Sequence, residues 1–229
     1  METVEEVMHE LQSKAKPDQI EGMAKFAIVG DQRMGVSVPE MRKIAKAVGK
    51  NHQLALDLWE TGVPEGMIVA GMIAEPEKLT DEQMEDWVVD INSWDICDQV
   101  CMNLFEKTPL AEKKINEWSV REEEFVKRTA YALIACLAWH DKQAGDEEFI
   151  KYFPIIVAGS TDERNFVKKA VNWALRNIGK RNQNLNEQAL LCARQIQEID
   201  SKSARWIASN ARRELESDKI QERLRKKGK

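Results

Sequence analysis

Along most of the chain apolar residues recur every three to four positions, the spacing of one face of an α-helix. No stretch shows the strict alternation of a half-buried strand, and glycines and prolines fall between the periodic segments. The pattern predicts helices over about 2–14 and 18–29. A loop Gly30–Gly35 then leads to Ser37 as N-cap, with Pro39 in the first turn of a helix to Val48. Asn51 caps 52–61, and Pro64 opens a helix to Ala74. From Thr80 onward helices come in pairs: 80–91 with 94–107, 110–118 with 122–139, 147–158 with 163–178, and a helix from Asn184 or Asn186 to Ile199 with 203–216. Thr80 and Gln83 have capping-box spacing, and Ser93 is placed to cap the helix that follows it. Residues 218–229 read as a basic, fraying tail. Pairs of roughly 33 to 45 residues match HEAT-like units. The prediction is therefore all-α: a HEAT-like helical-repeat solenoid, an α-α superhelix with a concave groove, in a single domain over 1–229. A compact, non-repetitive helical domain is the alternative.

The second helix of each pair presents unusual residues away from its apolar stripe. In the helix capped by Asp162 and stopped by Gly179, Val167, Ala170, Val171, Ala174 and Ile178 form the packing face. Trp173, Lys169, Arg176 and Lys180 stand on the other side. In 94–107 the stripe is Ile96, Cys97, Val100, Cys101 and Leu104, with Trp94 and Asp98, one turn apart, on its edge beside Phe105. In 122–139 it is Val126, Ala130, Leu133, Ile134 and Leu137, while Arg128 points the opposite way, over Ala132, Ala135 and Trp139. In 203–216 Ala204, Ile207, Ala211 and Leu215 face inward, and Trp206 and Arg213 outward. Stacked in an array, such faces line one concave wall.

Charge sharpens this reading. The net charge is −5, which by itself speaks against a general nucleic-acid binder. Residues 51–100, however, hold twelve acids and one base, a net of −11, whereas 164–229 hold seventeen bases and seven acids, a net of +10. One face for a polyanion and another for solvent is the reading this asymmetry suggests; a merely solvated basic run is the plainer one. Hydrophobic content of 43% is enough for a real core. Four cysteines in predicted helices, and no secretory signal, predict a reducing, cytoplasmic setting with free buried thiols. No apolar run reaches membrane-spanning length. Cys97 and Cys101 have no further Cys or His pair at ligand spacing, so they read as packed thiols and no metal is expected. His9, His52 and His140 are isolated, and neither a Walker A pattern nor GxGxxG occurs, so no nucleotide cofactor is expected.

A carboxylate beside an indole can hold a water or stabilise a developing positive charge. Indole faces can stack on a base or sugar, and Arg128, Lys169, Arg176, Lys180 and Arg213 can bind phosphates. That set suits cleavage of a bond with a cationic transition state in nucleic acid, such as the glycosidic bond of an alkylated base. Each residue also has a structural reading. Asp98 could pair with Arg128 or a lysine, Trp94 and Trp173 could fill gaps between helices, and Asp95 rivals Asp98 but sits where acids complement the helix dipole.

Three stretches carry a family resemblance: Ser93-Trp94-Asp95-Ile96-Cys97-Asp98, Phe125-Val126-Lys127-Arg128-Thr129-Ala130, and Phe166 through Arg176. Gly35 through Arg42 is a weaker fourth. In order along nearly the whole chain, the sequence resembles the HEAT-like-repeat DNA alkylation repair family, the AlkD-like alkylpurine DNA glycosylases. The resemblance implies a curved all-α solenoid gripping duplex DNA and a monofunctional glycosylase. Such an enzyme removes cationic N3-alkyladenine and N7-alkylguanine without metal or nucleotide cofactor and without flipping the base into a deep pocket. It implies Asp98 as the catalytic aspartate, Trp94 and Trp173 around the lesion's deoxyribose, and Arg128 supporting the DNA backbone. In place of the tyrosine of the family's well-studied enzymes, the comparable segment Gly22–Phe26 offers Phe26. Two other readings are carried alongside: a non-catalytic DNA-binding protein of the same fold for distorted or branched DNA, and a protein-interaction solenoid. The sequence leaves the oligomeric state unassigned.

Overall fold

The computed structural model describes residues 1–28 and 32–227, and all the regular elements among them are helices. The end of the second predicted helix (Val29), the start of the predicted loop (Gly30, Asp31) and the last two residues of the predicted tail lie outside the described residues. The chain divides into two compact units, Met1–Ala111 and Glu112–Lys229.

The first unit contains α1 (Val4–Ser13), α2 (Pro17–Ala24), α3 (Val38–Val48), α4 (His52–Trp59), α5 (Pro64–Ile73), α6 (Asp81–Asp90) and α7 (Trp94–Asn103). Its centre is α5, nine of whose ten residues are buried, so its apolar character extends round the whole helix rather than along one stripe. It packs against α3, α4 and α7, and Gly71 lets the backbone of α5 approach Val100 of α7. Trp59 and Trp87 stack with ring centroids 4.0 Å apart, and the Trp59 indole donates to Asp90, so these two tryptophans belong to the core. Thr80 and Gln83 form the full capping box, and Asn51 caps α4 by accepting from the Leu54 amide.

Two helices of this unit are shorter than their sequence pattern predicts. α2 ends at Ala24, and Ala27 takes a left-handed conformation (φ 57°) on the way out. The helix predicted over 94–107 stops at Asn103 because Leu104 leaves helical geometry (φ −131°, ψ −66°), and a 3-10 turn follows at Phe105–Lys107. That break lets two consecutive side chains, Leu104 and Phe105, both reach the core. Phe105 is thus fully buried and not an edge partner of Trp94; burial of such a ring contributes roughly 2 kcal/mol.

The second unit contains α8 (Ala111–Trp118), α9 (Glu124–His140), α10 (Glu147–Ile150), α11 (Phe153–Gly159), α12 (Asn165–Gly179), α13 (Gln183–Gln197), α14 (Lys202–Leu215) and α15 (Asp218–Lys227). The predicted helix 147–158 is broken in two because Pro154 cannot donate within a helix and fits only its first turn. α12 runs along α9 and also packs on α11, α13 and α14. Polar links join the second helices of successive pairs: Arg128 to the Phe166 carbonyl, Asn172 to Asn210 and Arg176 to Glu214, each spanning 38 residues of sequence. Asn177 adds a bond back to the Ala135 carbonyl, 42 residues away.

Local signals around α12 work differently from the sequence reading. Asp162 does not cap the helix; it accepts from the Arg164 amide at 3.0 Å and from the Arg164 guanidinium, closing a turn before α12 begins. Gly179 is the last helical residue, and its role is close packing: a Cβ there would lie 2.8 Å from Leu215 and 2.9 Å from Ala189. Asn182, not Asn184 or Asn186, caps α13. Residues 218–227, read as part of a tail, form α15, which buries Ile220 and Leu224.

Candidate nucleic-acid interface

In the first unit the informative residues gather at the start of α7. Trp94 is half-buried, and its indole N–H donates to the Phe26 carbonyl at 2.9 Å, tying α7 to the residues after α2. The Phe26 ring itself is 73% exposed, an aromatic surface beside a pinned indole. Asp98, one turn after Trp94, is half-buried. Both line a cavity of about 540 Å³.

Asp95 is engaged otherwise. Arg33 donates to both of its carboxylate oxygens at 2.8 Å and to the Ser93 hydroxyl at 2.8 Å. The Ser93 hydroxyl in turn donates to Asp95, so Ser93 occupies the N-cap position without bonding a helix amide. The Arg33 side chain is 1% exposed and that of Asp95 12%, making this a buried ion pair that fastens the segment before α3 to the start of α7. The same segment is held from a second side by Glu65, whose Oε1 accepts from the Met34 and Gly35 amides at 3.0 and 2.9 Å. Gly35 has φ 74°, and a Cβ on it would lie 2.4 Å from the Lys16 carbonyl oxygen, so only glycine fits.

In the second unit Trp173 is half-buried, off the packing face formed by Val167, Ala170, Val171, Ala174 and Ile178. It lines a basin of about 410 Å³ with Trp139, Lys142, Lys180, Arg181 and Arg223. Trp139 is 54% exposed and stacks on the His140 imidazole at 4.8 Å. Arg181 donates to the carbonyls of Ala138, Asp141 and Ala144, and its guanidinium lies 3.9 Å over the Phe149 ring. Burial lowers its pKa from the usual arginine value, against the opposing pull of Asp141 and Asp146. Arg223 donates to the Lys180 carbonyl, and Lys142 to that of Trp139. Backbone carbonyls thus orient three of the basic side chains that line this basin, and two indoles stand in its wall.

The other predicted phosphate contacts divide. Lys169 and Arg213 are exposed. Arg176 and Lys180 share the Glu214 carboxylate, with Lys180 at 2.8 Å. Burial raises the Glu214 pKa, but Lys180 and Arg176 outweigh it and hold the group below the ordinary carboxylate value. Trp206 faces outward as predicted, with the Lys168 ammonium 5.2 Å from its ring centre.

Arg128 departs most from expectation. It is 5% exposed, and Nη1 donates to the Phe166 carbonyl at 2.8 Å. The sequence stripe placed it on an open side of its helix, but α12 covers that side, and Ala132 and Ala135 are fully buried there too. Arg128 therefore fastens the first turn of α12. Sequence reasoning missed Arg33, Glu65 and Arg223. Only Glu65 left a signal: it is the lone charge in the apolar run Pro64–Ile73.

The profile of the DNA alkylation repair enzyme family matches residues 7–215. Among curated proteins no sequence match is found. Among solved structures, the chain is similar to one described as "A new family of proteins related to the HEAT-like repeat DNA glycosylases with affinity for branched DNA structures". The TM-score is 0.80 at 19% identity, covering 97% of this chain and 96% of that one, so the fold is HEAT-like. A designed armadillo repeat protein in complex with the peptide (KR)4 aligns over 96% of this chain and 87% of its own at 16% identity, with a TM-score of 0.37.

Proposed function

Because the chain belongs to the DNA alkylation repair enzyme family, we propose that it binds duplex DNA and hydrolyses the N-glycosidic bond of cationic alkylated purines, N3-alkyladenine and N7-alkylguanine. One observation carries the reading. Asp98 and the Trp94 indole, one turn apart on α7, line the same cavity of about 540 Å³. In this mechanism Asp98 orients a water and stabilises the oxocarbenium-like sugar as the bond from C1′ to the base nitrogen breaks. The bonding electrons leave with the base and neutralise its positive charge. The water oxygen joins C1′, and its proton passes to the Asp98 carboxylate. A positioned carboxylate of this kind contributes on the order of 10²–10⁴-fold, enough for a base that alkylation has already made a good leaving group. The family resemblance assigns Trp94 and Trp173 to the lesion nucleoside. Lys169, Arg213 and the cations around Trp173 hold phosphates, and Arg128 acts indirectly, as the positioning residue for the helix that carries Trp173.

Duplex DNA containing 7-methylguanine tests this. Wild-type protein should release the free base, and Asp98→Asn should lose most of that release while binding the same duplex. No release by wild type, or equal release by the variant, removes the mechanism. A second reading, binding of branched DNA without base excision, is favoured by Phe26, which lacks a hydroxyl, and by the described affinity of the structural relative. It predicts tighter binding to a four-way junction than to plain duplex, with no base released.

A further inference from the structure

The proposed hydrolysis leaves one aromatic side chain of the second unit without a task. Trp139, near the end of α9, is 54% exposed, although burying so large a ring is normally favourable. The His140 imidazole stacks on it with ring centroids 4.8 Å apart. Lys142 donates to the carbonyl of Trp139 itself, which stands an ammonium at the foot of the indole. The loop that carries Lys142 is held from two sides. Asp141 accepts from the Gln143 and Ala144 amides at 2.9 Å, and Arg181 reaches the Asp141 and Ala144 carbonyls. Arg223 of α15 lines the same basin, bonded to the Lys180 carbonyl. Among the described residues no acid lines it. Of its four cations, Lys180 is paired with Glu214, and Asp141 and Asp146 act on Arg181. Lys142 and Arg223 are exposed and, among the described residues, their side chains bond backbone carbonyls only.

We propose that this basin holds an unpaired nucleotide of single-stranded DNA, with its base stacked on Trp139 and its flanking phosphates on Lys142 and Arg223. An indole needs the flat face of a base. In a duplex those faces are covered by neighbouring base pairs, and the protein meets phosphates and groove edges instead. An exposed ring beside two cations free of carboxylates therefore matches a strand whose bases are already unpaired, and such stacking tolerates any sequence. The base lies on an exposed indole at the surface, so no lesion is turned into a deep pocket. The inference goes beyond the glycosylase reading: it needs neither Asp98 nor Trp94, and only the choice of DNA rests on the family. A duplex carrying a single-stranded tail should then bind more tightly than the duplex alone.

Fluorescence anisotropy of a labelled oligothymidylate of about ten residues, titrated with the full chain at low salt, tests the site. Wild type should bind saturably. Trp139→Ala should weaken binding about 5- to 100-fold, and Trp139→Phe, which keeps a flat ring, should recover most of the loss. A closed dumbbell duplex, with neither free strand nor open end, should bind Trp139→Ala as tightly as wild type. Lys142→Ala should flatten the dependence of log K on log salt by about 0.7. Thermal melts establish that each variant is folded. If Trp139→Ala does not fold, tryptophan quenching decides: the oligomer should quench wild type more than Trp139→Phe. Four results overturn the proposal: no saturable binding by wild type, undiminished affinity in folded Trp139→Ala, an equal loss on the dumbbell, or displacement of the oligomer by oligoglutamate at equal charge. The two readings fail separately. A protein that binds the oligomer but releases no 7-methylguanine refutes the glycosylase, and one that releases the base without binding the oligomer refutes this site.

Discussion

Replacing Arg33 by methionine removes a guanidinium whose side chain is 1% exposed and keeps most of its apolar stem. Asp95 is then left 12% exposed with the Ser93 hydroxyl as its one side-chain donor among the described residues. Removing one partner of a buried ion pair costs about 3–5 kcal/mol, because the remaining charge stays desolvated. The surviving hydroxyl contact places the expected loss near the lower end, about 3 kcal/mol. A loss of that size corresponds to a fall in Tm on the order of 10 °C. The damage should be local at first. Arg33 precedes Met34 and Gly35, whose amides serve Glu65, so amide hydrogen exchange should rise first in 32–37 and the start of α7. Urea unfolding of Arg33→Met, Asp95→Asn and the double variant completes a thermodynamic cycle, and a coupling of about 2 kcal/mol or more is expected. If Arg33→Met lies within about 1 kcal/mol of wild type, the pair behaves like a surface contact. Asp95 would then not be what fastens the segment before α3 to the start of α7.

Gly159→Ala should destabilise the second unit by about 1–3 kcal/mol, because the new Cβ would stand 2.1 Å from the Tyr131 hydroxyl; adding Tyr131→Phe should recover part of the loss in a thermal melt. Glu214→Ala frees Arg176 and Lys180, so it should tighten DNA binding and steepen the dependence of log K on log salt by up to about 2. Lys169→Glu and Arg213→Glu should each weaken binding and flatten that slope by about 1 or more in a titration series. The depressed pKa of Glu214 stabilises the fold above its ordinary value of 4.5, and that contribution is lost as pH falls through the lowered folded value. Glu214→Gln should therefore show a shallower acid limb than wild type when Tm is followed from pH 6 to pH 3.

What could be read from the chain alone was whatever one helix decides for itself. The Thr80–Gln83 capping box, the Asn51 cap, the stripes of 163–178 and 203–216, and the outward Trp173 and Trp206 depend only on neighbours within a turn or two. The misreadings that bear on the candidate site occur where a distant helix intervenes. Along its own helix Arg128 reads as outward-facing, but α12 covers it; Arg176 and Lys180 read as open, but Glu214, 38 and 34 residues on, lies beside them. Arg33 carried no local sign of its partner because Asp95 lies 62 residues away. Glycine was ambiguous for the same reason: Gly179 sits where a helix stop would be, yet Leu215 and Ala189 are what demand it.

The bonds that recur at an interval of 38 residues in the second unit have an evolutionary corollary. α12 carries both halves of such a fastening: its Phe166 carbonyl accepts from the helix pair before it, and its Asn172 and Arg176 donate to the pair after it. A tandem copy of that segment would bring with it an acceptor on one side and donors on the other.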